Sequence, residues 1–208
     1  MTPAQRRALE TLLPQYGLHS APVPWDFVSL FGRDAPRTLE IGFGNGENLL
    51  SLAQAHADQD FIGIEVHRPG VGSLLKRLVS EHLTNVRVVC DDALEVLKGC
   101  VPDASLDSVL LYFPDPWPKK RHHKRRLVQP DFVALLACKL KHGGQFHSAT
   151  DWSEYAEHIS VVLSGCADFI SSTTDVTVPH APTRLLTKFE RRGLHLGHPV
   201  LEMAFRRR

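Results

Sequence analysis

The stretch Arg37-Thr-Leu-Glu-Ile-Gly-Phe-Gly-Asn-Gly-Glu47 decides how the rest of the chain folds. Its first five residues favour a buried strand, and three glycines follow within five positions. Residues 47–57 then place their leucines on one side, which predicts a helix. A glycine loop between a strand and a helix is the setting in which such a loop can approach a ligand closely.

The order of strand and helix repeats outward from this stretch. We predict strands at residues 37–41, 60–66, 85–90, 107–113 and 145–149, with helices at 47–57, 71–82, 93–97, 130–140 and 153–163. Gly143 and Gly144 are expected to end the fourth helix, and Asp151 or Ser153 to cap the fifth. Two further strands, 169–178 and 200–205, predict an antiparallel edge hairpin joined by a loop at 179–199. The pattern predicts an α/β fold, a three-layer α/β/α sandwich with a largely parallel, Rossmann-like sheet.

Residues 1–36 precede the first strand and are interpreted as an N-terminal lead-in. Pro3 opens a predicted helix at 3–13, and residues 14–36 are loop-like, with several prolines. Residues 37–208 are then expected to form one domain, which is long enough to build a full hydrophobic core.

Composition argues against several classes of protein. No apolar run approaches membrane-spanning length, and the first twenty residues lack an apolar signal core, so we expect a cytoplasmic protein. The four cysteines are far apart, and neither they nor the twelve histidines show the spacing of a metal site. We therefore predict no bound metal and no membrane partner.

Basic residues are concentrated in two segments. Residues 119–147 contain eight Lys or Arg and one acid, and residues 181–208 contain seven Lys or Arg and two acids. Because the net charge of the whole chain is only +1, the rest of the chain is strongly acidic. Such asymmetry is expected of a protein that binds a polyanion on one face, although a basic run can also be only a solvated surface.

The acids around the glycine loop indicate which ligand it binds. Position 47, where a dinucleotide fingerprint has its third glycine, is a glutamate, which is a poor neighbour for a pyrophosphate. Glu40 precedes the loop, and Glu65 ends the second strand, where it can accept from both hydroxyls of a ribose. Asp92 follows the third strand and can accept from an adenine amino group. These acids suit S-adenosylmethionine, a cationic nucleoside, better than NAD, although the glycines can serve only the turn and Asp92 can be only a helix cap.

The fourth predicted strand runs into a proline-rich loop that carries one acid. The apolar run 109–113 is followed by Pro114-Asp-Pro-Trp-Pro118, in which three prolines forbid a regular continuation. Every residue from Lys119 to Arg126 is then Lys, Arg or His. A stiff loop at a strand end with an acid, an aromatic ring and a basic block suggests chemistry on a polyanion.

Several motifs together give the chain a resemblance to a known family. They are Leu39-Glu-Ile-Gly-Phe-Gly-Asn-Gly46, Gly63-Ile-Glu-Val-His67, Pro69-Gly-Val-Gly72, Tyr112-Phe-Pro-Asp-Pro-Trp117 with its basic tail, Thr150-Asp-Trp-x-x-Tyr155 and Thr187-Lys-Phe-Glu190. Over residues 37–205 the chain resembles the bacterial tRNA (guanine-N7)-methyltransferases, which methylate guanosine 46 in the variable loop of tRNA. The resemblance implies the class I methyltransferase sheet, S-adenosylmethionine as cofactor and tRNA as partner. It leaves open a monomer or a homodimer.

The resemblance also implies roles for individual residues. Asp115 matches the proposed catalytic residue, and the basic block 119–126 would take tRNA phosphates. Trp117 can stack on the target base or only pack the loop. Asp151 and Glu190 can contact tRNA or can instead be ion-paired with neighbouring Arg and Lys. The predicted cofactor-binding residues are Glu40, Gly42, Glu65, Asp92 and Asp115, and the predicted substrate-binding residues are Lys119, Asp151, Thr187, Lys188, Phe189 and Glu190.

Guanine N7 is a chemically consistent target for such a site. It has a free lone pair and no proton, so its methylation requires no general base, and position and electrostatics must supply the rate. One rival is an amino-methyltransferase acting on adenine N6 or cytosine N4, whose motif usually has two adjacent prolines after the polar residue. The other is a non-catalytic RNA-binding protein on a methyltransferase scaffold.

Overall fold

The structure is a computed structural model, and it describes residues 1–172 and 200–208. The described residues form two compact units, one of residues 1–102 and one that starts at Asp103. None of the helices within the described residues is long and apolar enough to cross a bilayer. The division into a lead-in, residues 1–36, and a single domain, residues 37–208, stays a prediction.

In the first unit, three parallel strands carry the glycine loop. They are β1 (Arg37–Ile41), β2 (Asp60–Ile64) and β3 (Val86–Val89), in the order β3-β2-β1. Every residue of β1 and β2 is buried, as expected for parallel strands covered on both faces. Each strand is followed by a helix, as predicted: α3 (Glu47–Ala55), α4 (Arg68–Ser80) and α5 (Ala93–Gly99).

The lead-in contains two helices, α1 (Pro3–Tyr16) and α2 (Phe27–Phe31). α1 continues past its predicted end at residue 13, and its last residue, Tyr16, is buried. It packs on α4, where a Cβ at Gly72 would lie only 2.6 Å from the carbonyl oxygen of Gln5. The expectation of a loop throughout residues 14–36 is wrong at α2, because Asp26 caps a short helix by accepting from a backbone N–H.

In the second unit, a parallel pair of strands is extended by an antiparallel edge. Its elements are β4 (Leu106–Tyr112), a 3₁₀ helix (Lys120–Arg125), α6 (Pro130–Lys139), β5 (Leu140–Thr150), α7 (Ser153–Ser164), β6 (Phe169–Ser171) and β7 (Leu201–Arg207). β4 and β5 are parallel, whereas β7 is antiparallel to both β5 and β6, in the order β4-β5-β7-β6. The predicted antiparallel edge is confirmed. The predicted loop at 179–199 lies outside the described residues.

One local expectation in the second unit is wrong. Gly143 and Gly144 do not end α6 but lie inside β5, where the pairing with β4 is irregular. Gly143 has a φ of +78°, and a Cβ on Gly144 would lie 2.8 Å from the carbonyl oxygen of Lys141. Both glycines therefore permit a bulge in the strand, a conformation that a side chain would strain or block.

Candidate active site

The glycine loop leaves β1 in a conformation that only glycine adopts easily. Gly42, Gly44 and Gly46 all have positive φ angles, 72°, 59° and 76°. A Cβ on Gly46 would lie 2.6 Å from the side chain of Leu74, so this glycine is needed for packing against α4. A Cβ on Gly42 or Gly44 would meet no atom of the described residues within 4 Å. The surface of the loop at these two glycines is therefore open to a ligand.

Glu65 holds the glycine loop in place from the end of β2. Its Oε2 accepts from the N–H of Gly44 and its Oε1 accepts from the N–H of His67, both at 2.8 Å. A Cβ on Gly70, in the first turn of α4, would lie 2.1 Å from the carbonyl oxygen of Gly44. This bracing role of Glu65 and Gly70 was not predicted, although a glycine in a helical first turn is a signal of close backbone approach.

Glu40 is a buried carboxyl, only 4% exposed, beside the start of the loop. Its Oε2 accepts from the side-chain amide of Asn48 at 3.0 Å. Burial raises the pKa of Glu40 to about 7, the Asn48 bond opposes this rise, and the charge of Glu65 adds to it. Asn48 was missed by the sequence prediction. The feature that could have identified Asn48 is a polar side chain beside the leucines of α3.

Asp92 caps α5, which is one of the two roles that the sequence predicts for it. Its Oδ1 accepts from the N–H groups of Leu94 at 2.9 Å and Glu95 at 3.2 Å. Both bonds use the same oxygen, and the side chain is exposed, so capping leaves Oδ2 able to accept from a ligand.

The first unit thus fits the cationic nucleoside that the sequence predicts. An open glycine loop is accompanied by three acids, and within the described residues none of the three forms a salt bridge. These groups can accept from an ammonium group, from ribose hydroxyls and from an adenine amino group. Among residues 1–172 and 200–208 no three His, Cys, Asp or Glu side chains are grouped as metal ligands. That the protein needs no metal stays a prediction.

The proline-rich loop of the second unit is strained on both sides of its acid. The N–H of Phe113 donates to the carbonyl of Ala149 at 2.7 Å, which extends the pairing of β4 with β5 by one residue. Phe113 and Trp117 both have positive φ, 50° and 46°, and each precedes a proline. Such backbone costs roughly 1–3 kcal/mol per residue and persists only where its surroundings enforce it. Asp115 is exposed at the middle of this stiff turn.

The basic block forms a helix that packs on Trp117. Lys119 precedes the 3₁₀ helix as its N-cap, and the ring of Trp117 lies 5.0 Å from the guanidinium carbon of Arg125 and 5.9 Å from the ring of His122. Trp117 therefore packs within the loop and basic helix, against Arg125 and His122. That it also stacks on a base stays a prediction. Within the block the exposed basic residues are Lys119, Lys120, Arg121, Lys124 and Arg125.

Arg126 departs from this pattern. It is 3% exposed, and its Nε donates to the carbonyl of Pro116 at 2.8 Å. The prediction that the whole block takes phosphates is wrong for Arg126, because its guanidinium is turned into the second unit.

Asp151 lies between β5 and α7 and is partly exposed. It does not cap α7, and neither does Ser153, because the N-cap residue is Trp152 and makes no side-chain capping bond. The Oγ1 of Thr150 accepts from the N–H of Trp152 at 3.2 Å and steadies this junction. The remaining predicted substrate residues, Thr187, Lys188, Phe189 and Glu190, lie outside the described residues.

Comparison with known proteins decides the family. A family model described as "Putative methyltransferase" matches residues 34–203. A protein of Stutzerimonas stutzeri named tRNA (guanine-N(7)-)-methyltransferase is 56% identical over 208 residues, which is all of this chain and 87% of that protein. A protein of the same name from Nitrosococcus oceani is 54% identical over 207 residues, covering all of this chain and 86% of that protein. The chain belongs to the tRNA (guanine-N7)-methyltransferase family.

Solved structures agree on the fold of this family member. The 16S rRNA methyltransferase KamB matches with a TM-score of 0.60 at 13% identity, covering 87% of this chain and 92% of the other. The aminoglycoside resistance methyltransferase NpmB1 matches with a TM-score of 0.56 at 18% identity, covering 88% and 95%. The predicted fold class, a Rossmann-like class I methyltransferase, is confirmed. Membership of the family also confirms S-adenosylmethionine as the methyl donor.

Proposed function

We propose that this protein transfers a methyl group from S-adenosylmethionine to N7 of guanosine in tRNA, at position 46 of the variable loop. The observation that carries the proposal is the identity of 54–56% to proteins of that name over essentially the whole chain. The rival amino-methyltransferase and the non-catalytic RNA-binding protein are not favoured by these relatives. The proposed place of action is the cytoplasm, where the protein acts as a monomer or as a homodimer.

The proposal assigns cofactor binding to the acids and glycines of the first unit. When the cofactor binds, Glu65 would hold the ribose hydroxyls, Asp92 the adenine amino group and Glu40 the cationic end. Gly42 lets the backbone approach the ligand, since a Cβ there would project into open space. When bound, S-adenosylmethionine supplies an activated methyl group on a sulfonium.

Asp115 is the proposed catalytic residue, and the proposal also counts it as a cofactor-binding residue. Guanine N7 has a free lone pair, so no residue has to remove a proton. The Asp115 carboxylate can accept from N1–H and the amino group of guanine, which aims N7 for an in-line displacement. Its negative charge also stabilises the positive charge that the ring acquires. The strained backbone on both sides of the residue supports this role, because it restricts where the carboxylate can lie.

Substrate binding is assigned to exposed residues of the second unit and to residues 187–190. The exposed residues from Lys119 to Arg125 contact phosphates, and Asp151 contacts a base or ribose. The Thr187–Glu190 segment is assigned to tRNA from its match to the family motif. Support for the phosphate contacts comes from five exposed Lys and Arg side chains on one short helix and its N-cap.

The decisive experiment is a methyl-transfer assay with unmodified tRNA and labelled S-adenosylmethionine. After digestion to nucleosides, we expect the label in N7-methylguanosine. A tRNA with adenosine in place of guanosine 46 is the control, and it should accept no label. Label in a methyladenosine or methylcytidine, or equal labelling of the two tRNAs, contradicts the proposal.

A further inference from the structure

Arg126 is buried, whereas the other Lys and Arg side chains of the basic block are exposed. Its exposed fraction is only 3%. A buried guanidinium is costly unless its N–H groups are bonded, so its partners show what it does.

The first partner is the backbone of the loop that carries Asp115. Nε of Arg126 donates to the carbonyl oxygen of Pro116 at 2.8 Å. That carbonyl belongs to the peptide between Pro116 and Trp117, and its orientation sets the φ angle of Trp117. This φ is +46°, an unfavourable value for a bulky side chain. The charge-assisted hydrogen bond from Arg126 to this carbonyl therefore stabilises a peptide orientation that is unfavourable for the isolated backbone.

The other partners lie on the basic helix and on α7. The terminal nitrogen Nη2 of Arg126 lies 3.1 Å from Nε2 of His123 and 3.4 Å from Oε1 of Glu154. Its guanidinium carbon lies 5.0 Å from the ring centre of Tyr155, which is fully buried. Glu154 and Tyr155 belong to the first turn of α7, shortly after Asp151. One side chain thus connects the proline-rich loop, the basic helix and the start of α7, all within the second unit.

We propose that Arg126 is a positioning residue, which clamps the Pro116–Trp117 peptide and thereby places the Asp115 carboxylate, and that it is not a tRNA contact. The inference rests on the proposed function for the role of Asp115. The clamp itself depends only on contacts within the second unit. Lysine cannot replace this side chain, because a single ammonium lacks the planar fork that reaches Pro116 and Glu154 together.

The test compares Arg126→Met and Arg126→Lys with Arg121→Met, which removes an exposed cation from the same helix. For both Arg126 variants we expect single-turnover methylation at saturating tRNA to fall roughly 10- to 100-fold, because a small misplacement of a catalytic group is that costly. The tRNA dissociation constant should change less than about threefold, with an unchanged dependence on salt. For Arg121→Met the loss should instead lie in tRNA affinity, with a salt slope lower by about 0.7–0.9.

Hydrogen–deuterium exchange provides a readout that needs no substrate. A peptide covering residues 109–121 should exchange faster in the Arg126 variants than in the wild-type protein and in Arg121→Met. If Arg126→Met does not fold, Arg126→Lys decides both measurements. Wild-type methylation rates in Arg126→Lys, unchanged exchange, or a reduced salt slope with intact turnover would each overturn the clamp. If the wild-type protein makes no N7-methylguanosine, the proposed function fails while the exchange result still judges the clamp.

Discussion

Asp115 is held in place by the backbone on either side of it. Positive φ angles at Phe113 and Trp117, each before a proline, leave the turn few alternative conformations. The exposed carboxylate can therefore meet a guanine edge without first paying for its own ordering.

At this residue we predict that Asp115→Asn lowers single-turnover methylation roughly 100- to 1000-fold, the usual cost of losing one electrostatic stabiliser. The affinity for tRNA should stay within about threefold, because phosphate contacts dominate it. Asp131→Asn, an exposed acid in the first turn of α6, is the matched control and should leave methylation unchanged. Full activity in Asp115→Asn would remove this residue from the mechanism.

Glu40 links stability to pH. Its pKa rises from the ordinary value of 4.5 to about 7, chiefly because the carboxyl is buried. Below pH 4.5 the carboxyl is protonated in both the folded and unfolded states, and Glu40 makes its full contribution to the free energy of unfolding. As the pH rises towards 7, the unfolded chain releases the proton and the folded one keeps it, so stability is lost, on the order of 3 kcal/mol in total.

We therefore predict that Glu40→Gln abolishes this part of the pH dependence. The free energy of unfolding of the variant minus that of the wild-type protein should increase between pH 4.5 and pH 8, by an amount on the order of 3 kcal/mol. Urea denaturation of the cofactor-free proteins measures it, and Glu157→Gln, exposed on α7, is the control. A difference that is the same at every pH contradicts the prediction.

At the scale of elements, the β1–loop–α3 unit divides its glycines between packing and binding. All three have positive φ, so any side chain there is strained by roughly 1 kcal/mol. Of the three, only Gly46 would also bring an added Cβ into a clash with Leu74. A Cβ on Gly42 or Gly44 would project into open space.

Two alanine variants separate these roles. Gly46→Ala should be the less stable, by a further 1–3 kcal/mol or so, because its Cβ overpacks against α4. Gly44→Ala should be the milder change in stability but should weaken binding of adenosylhomocysteine roughly tenfold or more, since its Cβ enters the proposed cofactor surface. Thermal denaturation and calorimetric titration measure the two effects. If the two variants lose the same stability and Gly44→Ala binds adenosylhomocysteine as well as the wild-type protein does, the cofactor does not bind at this loop.

For the whole molecule, charge is segregated along the sequence. The net charge is only +1, yet five exposed Lys and Arg residues lie between Lys119 and Arg125. Each phosphate contact releases counterions, so five contacts give a log–log salt slope of about −3.5 to −4.5.

We predict that tRNA affinity falls about 100- to 500-fold between 50 and 200 mM salt. Binding of adenosylhomocysteine carries no such release and should change less than about twofold. Filter binding for tRNA and calorimetry for the small ligand make the comparison. A flat salt dependence for tRNA would show that the exposed cations of the helix are only a solvated surface.

Much of the fold was predictable because the relevant physics is local. The alternation of apolar strands with amphipathic helices placed the elements, and Asp92 was correctly expected to cap a helix. The sequence predicts a helix end at Gly143 and Gly144, but these residues form a bulge whose need for glycine arises from strand pairing. Asp151 was a plausible cap by type, yet the chain starts α7 from Trp152.

The sequence by itself determined the order of the elements, the glycine loop and the stiff proline turn around Asp115. These follow from the backbone preferences of glycine and proline and from short apolar patterns, which every chain segment carries with it. Only the tertiary structure decided that Glu40 is buried against Asn48 and that Arg126 turns inward to hold Pro116. Burial and hydrogen-bond partners depend on residues that folding brings together. Two consecutive arginines therefore have opposite environments: Arg125 is exposed to solvent, and Arg126 is buried.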